Sequence, residues 1–312
     1  MVDFRYHLVS IIAVFLALAV GIVVGTTALN GPVLDGLKGS VSHLTADKRA
    51  LEGNVRELRG TVADDSAFAD LVAPALVRGR LAGERVLVIS TSDADNAVRD
   101  GLLTSLADAG ATVAGRLRLR PDLTDPARSR TVDAVVTGAA PAGLALPESG
   151  PAARVAAELA SSLVRGPRTG SGQPVTDAQA QEVLSAFAGA DLLDLESDTF
   201  EATATLVLVV TGPVTASPST QQTARLPGLL ALVDALDARS GVVVAGPVGS
   251  ADTDGLLRSL RSGSRGERLS TVDDADLGQG RVAAVLALRE QATGGQGRYG
   301  TGRGAQATAP AP

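Results

Sequence analysis

The chain has 312 residues, length enough for one large or two small α/β units beyond any anchoring segment. A formal net charge of -6, with no basic stripe interleaved with aromatics, argues against nucleic acid as a partner. The absence of cysteine excludes disulfides, redox dithiols and thiolate metal sites, and leaves Met1, His7 and His43 as the remaining soft or imidazole donors.

Behind a short tail, MVDFRYH (1–7), residues 8–29 carry no charge and only Ser10, Thr26 and Thr27 as polar interruptions. As a helix they would be about 33 Å long, against a hydrocarbon core of ~30 Å, so the segment reads as a transmembrane helix. A cleaved secretory signal would have a shorter apolar core, a more basic start and a better cleavage site than Thr26-Thr27-Ala28. The reading is therefore an uncleaved single-pass anchor. Basic residues near the span are few, Arg5 before it and Lys38, Lys48 and Arg49 after it; a tail this short before so large a domain points to an inner N-terminus and an outer globular domain. Within the span, Ala13, Ala17, Gly21 and Gly25 recur every four residues. Small side chains on one face let two backbones approach closely, which is how helices pair in lipid, so these four are the expected membrane-helix pairing face.

After Gly31-Pro32, expected to break the helix, residues 33–63 read as a short coiled coil. Leu37, Leu44, Leu51 and Leu58 take d positions, and Leu34, Val41, Lys48, Val55 and Val62 take a positions. Val at a with Leu at d favours a parallel two-stranded coil, and Lys48 at a would cost stability while fixing register. A homodimer is the expected partner state, its coil continuous with the pairing face in the membrane. Gly36, Gly39, Gly53 and Gly60 weaken such a helix, and Asp47 would face Glu52 of the other copy. The alternative is a lone helix folded back on its own domain. His43, at a c position, reads as a solvated surface residue.

From about residue 64 the pattern becomes that of an α/β domain, 64–292. A helical piece, FADLVAPALVRG, precedes the strand RVLVIST, the helix DADNAVRDGLLTSLADAG and the strand ATVAGRLRLR. Further on come the strand TLVLVVTGP, a helix within 222–238, the strand SGVVVAGP, a helix near 252–262, the short strand RLSTVD and a last helix, 280–291. Between these sets lie helices near 152–164 and 177–188 and a Gly/Pro-rich joint, RGPRTGSGQP. LADAGATVAG and LDARSGVVVAG occupy equivalent places, suggesting half-units of about 64–165 and 176–292. Continuous apolar strands alternating with helices imply a mostly parallel sheet with helices on both faces, and ligands in such folds bind beyond the strands' carboxyl ends.

Those ends carry Ser90, Thr91, Ser92, Asp93 and Asp95 after the first strand, and Asp273, Asp274 and Asp276 after the last. Both groups read as helix caps. No GxGxxG follows the first strand, no GxxxxGK[ST] occurs, and no histidine lies in the domain, so nucleotide binding and histidine-based triads have no support. The expectation is a non-enzymatic protein without a cofactor or a metal site. The last segment, 293–312, is Gly-rich and ends in Ala-Pro repeats, so it reads as a flexible tail to which Tyr299 could add a contact.

The opening FRYHLVSIIAVFLALAVGIVVG, the leucine heptad, RVLVIST and the closing VDDADLGQGRVAAVLAL and GGQGRYG together resemble the actinobacterial copper-transport outer-membrane family of the MctB type. The resemblance covers nearly the whole chain. It implies a cell-envelope role in keeping intracellular copper low, with copper ion as cargo. The residues themselves offer copper no thiolate, no methionine beyond the first and no histidine after residue 43, and no run of alternating strands fit for a barrel. Two readings follow: a copper-efflux component of the envelope, or a membrane-anchored dimeric scaffold whose outer domain binds another envelope protein.

Overall fold

In a computed structural model, residues 4–164, 175–197, 204–214, 219–252, 255–262 and 268–311 are described, with 26–36 described in backbone only. The joint RGPRTGSGQP and the side chain of Leu34 therefore lie outside the described residues. The chain divides into two compact units, Met1–Asp64 and Asp65–Pro312.

Helix α1 (Phe4–Val77) is a single 74-residue element. The break expected at Gly31-Pro32 does not occur. Proline removes one backbone hydrogen bond and costs about 3 kcal/mol in a helix interior, and the apolar run before it and the heptads after it carry the helix across. The piece FADLVAPALVRG is the end of this same helix.

The second unit is built on an open sheet of seven strands in the order β3-β2-β1-β4-β5-β6-β7. These are β1 (Arg85–Ser90), β2 (Thr112–Leu119), β3 (Leu193–Leu195), β4 (Leu206–Val210), β5 (Gly241–Ala245), β6 (Ser270–Val272) and β7 (Arg298–Tyr299). Every neighbouring pair is parallel except β2 and β3. RVLVIS, LVLVV and GVVVA are strands because their β-branched and leucine side chains suit a pleated surface covered on both sides. Side chains alternate across that surface. Leu87, Ile89, Val207, Val209, Val242 and Val244 enter one core with α3 (Ser129–Ala139), α4 (Pro151–Leu163), α5 (Asp177–Gly189), α6 (Thr220–Asp237) and α7 (Leu256–Arg261). Val86, Val88, Leu206, Leu208, Val210 and Val243 enter the other, with α2 (Asn96–Asp108), α8 (Gly278–Ala292) and Ala73 and Val77 of α1.

The expected mostly parallel sheet with helices on both faces is thus present. β1 pairs directly with β4, and β2 with β3, so strands from about 64–165 and from 176–292 share one sheet.

The last turns of α1 are tied to the start of α8. Ser66 Oγ accepts the Gly278 N–H at 2.9 Å, and Asp70 pairs with Arg281 at 2.5 Å. A Cβ at Gly278 would lie 2.6 Å from both Asp70 Oδ1 and the Ser66 carbonyl, so only glycine lets α8 begin this close to α1.

Within the expected flexible tail, residues 297–302 are packed against the domain. β7 pairs with β6, Tyr299 is buried, and its hydroxyl donates to Glu290 at 2.6 Å. A glycine-rich segment can approach a strand end that bulkier residues could not reach, and here it does so at Gly297, Gly300 and Gly302, each within contact of a buried side chain.

Candidate functional site

Two kinds of surface carry the sequence-derived candidates, and both lie on α1. Ala13, Ala17, Gly21 and Gly25 belong to the candidate span Phe4–Gly25, whose most apolar 18-residue window has a mean hydropathy of 2.9 and is not buried at all in the protein. Among the described residues, nothing beyond its own turns of helix lies within 4 Å of a Cβ placed on Gly21 or Gly25. The small-residue face is open.

The heptad positions are equally uncovered: Leu37, Val41, Leu44, Leu51, Val55, Leu58 and Val62 are all exposed. Lys48 reaches its own chain's Glu52 at 3.6 Å, an exposed i,i+4 pair of small energetic weight. A helix polar all round would be content in water. This one presents a row of branched apolar side chains that gains free energy only when something covers it.

A second candidate lies where the strand order reverses, between β1 and β4. A cleft of about 130 Å³ there takes Ser92 and Asp93 from the end of β1, Arg120 from the end of β2, Thr211 and Pro213 from the end of β4, and Arg225 and Leu229 from α6. Asp93 accepts the Thr91 hydroxyl at 2.5 Å. Arg120 is shared between Asp191 and Asp194 at 3.6 and 3.5 Å. Beside the cleft, Thr124 also lines an apolar cavity of about 290 Å³ walled by Pro126, Val132, Pro151, Val155 and Pro227. The position follows the rule for open parallel sheets. Arg225 and the cavity were not legible in the sequence, because TQQTARLPGLL looks like an interrupted surface helix.

The acidic groups at the strand ends divide. Asp95 caps α2, accepting the Ala97 N–H at 2.7 Å, as expected. Asp273, Asp274 and Asp276 do not cap α8, whose N-cap is Leu277 with no side-chain bond. Asp273 instead forms a buried ion pair with Arg261 and accepts the N–H groups of Thr301 and Gly302. Asp276 accepts the Val248 N–H at 2.8 Å. Asp274 is buried, and burial next to Asp273 pushes its carboxyl up to about 6. The C-terminal segment replaces the helix as partner for Asp273, a long-range contact that no local signal announces. Burial and the Glu290 carboxylate likewise push the Tyr299 phenol upward.

Among the described residues, no group of three or more His, Cys, Asp or Glu is placed to hold a metal ion. His7 and His43 both stand exposed on α1.

The family model described as copper transport outer membrane protein, MctB, matches residues 1–310. The chain belongs to the MctB family. It is 28% identical over 313 residues to the protein named copper transporter MctB of Mycobacterium tuberculosis, and equally so to that of Mycobacterium bovis, covering 98% of each chain. Against copper transporter MctB of Mycobacterium leprae it is 29% identical over 328 residues, again covering 98% of both. These relatives carry a transporter's name and match from end to end, so the exposed apolar helix and the α/β unit are compared together as one protein. MctB is thus a membrane transport family by its description, not an enzyme family.

Proposed function

We propose that this chain limits intracellular copper as a component of a copper transport system in the cell envelope, anchored once through α1 and acting as a parallel homodimer. The observation that carries this reading is the end-to-end family match joined to an uncovered apolar helix. Residues 8–29 are the span and 33–63 the coil, with the α/β unit on the outer side of the plasma membrane. Ala13, Ala17, Gly21 and Gly25 meet their counterparts in lipid. Leu34, Leu37, Val41, Leu44, Lys48, Leu51, Val55, Leu58 and Val62 continue the seam.

Because the chain has no cysteine, one introduced thiol reports pairing without background. Leu44→Cys, at a seam position, is expected to give a disulfide-linked dimer in isolated membranes under mild oxidation, and Ala46→Cys, on the outer face, to stay monomeric. Equal crosslinking at both positions, or none at Leu44→Cys, would overturn the dimer.

A second reading is favoured by the donor set. Copper(I) selects thiolates and thioethers, and copper(II) imidazoles; the α/β unit has none of these. Its strands form an open sheet. In this reading the outer unit is a scaffold for another envelope protein, and copper levels respond through that partner. Fractionation separates the two: a conduit subunit belongs with outer-membrane markers and conducts in bilayers, whereas the scaffold stays with the plasma membrane and does not conduct.

A further inference from the structure

The cleft at the β1/β4 switch point and the apolar cavity beside it share Thr124 as a wall, and one ion pair links their linings. Asp125 lines the apolar cavity, Arg225 lines the cleft, and their closest atoms stand 3.6 Å apart, beyond a hydrogen bond. Asp125 is engaged elsewhere, its Oδ1 accepting the Ala127 N–H at 2.9 Å. The Nε of Arg225 is buried with no hydrogen-bond partner among the described residues. A buried donor left unpaired is costly, more so on a charged group. Nothing on the cleft's own wall satisfies it, since Asp93 is turned to Thr91 and Gln222 closes the capping box with Ser219.

The neighbouring cavity supplies the complementary half of a ligand. Its walls are almost wholly apolar, and prolines at 126, 151 and 227 contribute no backbone donor. At about 290 Å³ it stands at the lower edge of the ~300–1,000 Å³ typical of small-molecule sites, room for one alkyl chain and not two. α6 passes close to Thr124 at Gly228, where a Cβ would lie 2.9 Å from the Thr124 side chain.

We propose that the two cavities form one binding site for a single-chain anionic amphiphile, its alkyl chain in the apolar cavity and its carboxylate or phosphate on Arg225 in place of the distant Asp125. The site goes beyond copper transport and does not depend on it. A chain anchored in a bilayer meets such amphiphiles at high local concentration.

The test uses the full-length protein in its own membranes and three photoreactive probes carrying a diazirine at the chain end: palmitic acid, lysophosphatidic acid and the matching fatty alcohol. Both acids are expected to label peptides containing Leu123 to Val132 or Ala224 to Leu232. Arg225→Gln should cut that labelling several-fold for the acids and leave the alcohol unchanged. Ala224→Leu, which fills the cavity from α6, should remove labelling by all three from those peptides. Labelling of Phe4–Gly25 serves in each case as the control for a folded, inserted protein. Preference between the two acids tells a free fatty acid from a phospholipid source. Labelling confined to Phe4–Gly25, or acid labelling indifferent to Arg225→Gln, would overturn the proposal.

Discussion

Arg261 and Asp273 form an ion pair with each side chain only 1% exposed, and the remaining hydrogen bonds of the pair run largely to the C-terminal segment. Arg261 donates to the carbonyls of Tyr299 and Arg303, and Asp273 accepts from Thr301 and Gly302. Two charges sealed from water in this way are stable only together. Asp273→Ala strands the guanidinium and is expected to cost about 3–5 kcal/mol in denaturant unfolding. Trypsin should then cut at Arg298 and Arg303 in the variant well before the wild type. An unchanged cleavage pattern would mean that the segment is held without this pair.

The glycines of α1 separate effects within one chain from effects between chains. Since, among the described residues, a Cβ on Gly21 or Gly25 meets nothing within 4 Å beyond its own turns of helix, Gly21→Ile with Gly25→Ile meets no other described element of its own chain. Any loss of the Leu44→Cys crosslink in that background therefore reports a second copy. We expect a several-fold drop.

Gly53→Ala and Gly280→Ala make an opposed pair. At Gly53 the added methyl meets open space, and the gain in helix propensity should stabilise by up to ~1 kcal/mol. At Gly280 it would run into the Asp274 carbonyl, backbone that cannot swing aside, and the cost should be ~1–3 kcal/mol or more. Unfolding curves of the two variants check both signs.

Glu158 predicts a pH dependence. Its side chain is fully buried on α4, both carboxylate oxygens lack hydrogen-bond partners among the described residues, and desolvation pushes it up to about 7 against the partial pull of Arg154. The folded state then holds a proton that the unfolded chain releases near 4.5. The Glu158 contribution to stability falls as pH rises between about 4.5 and 7, and is constant outside that window. Glu158→Gln removes this contribution, so the variant should gain on the wild type across the window, by up to about 3 kcal/mol above pH 7. A difference between the two proteins that does not vary with pH would contradict the buried proton.

What could be read from the sequence follows the range of each interaction. The strands RVLVIS, LVLVV and GVVVA, and helices such as α5 with its Thr176 and Gln179 capping box, are encoded in adjacent residues and were legible. The continuity of α1 through Pro32 was not, because a proline's local preference yielded to apolar and heptad runs on both sides. Short strands escaped as well: β3 has three residues and β7 two, and each exists only because a neighbouring strand offers its edge. α3 has a strongly amphipathic SRTVDAVVTGA pattern that could have been found. Asp273 looked like a cap because its true partners lie 12 residues before it and 28 after it. The Arg225 cleft depends on five separate segments meeting, which no local pattern contains.

The central claim is that the chain keeps copper low through a paired α1, and cell-associated copper measured by elemental mass spectrometry tests it most directly. Three strains suffice: a deletion, the deletion carrying the wild-type chain, and the deletion carrying Gly21→Ile with Gly25→Ile at matched expression. We predict that copper rises on deletion, returns to normal with the wild type and stays high with the double variant. Copper that does not change on deletion would contradict the transport role, and full restoration by the double variant would contradict its dependence on helix pairing.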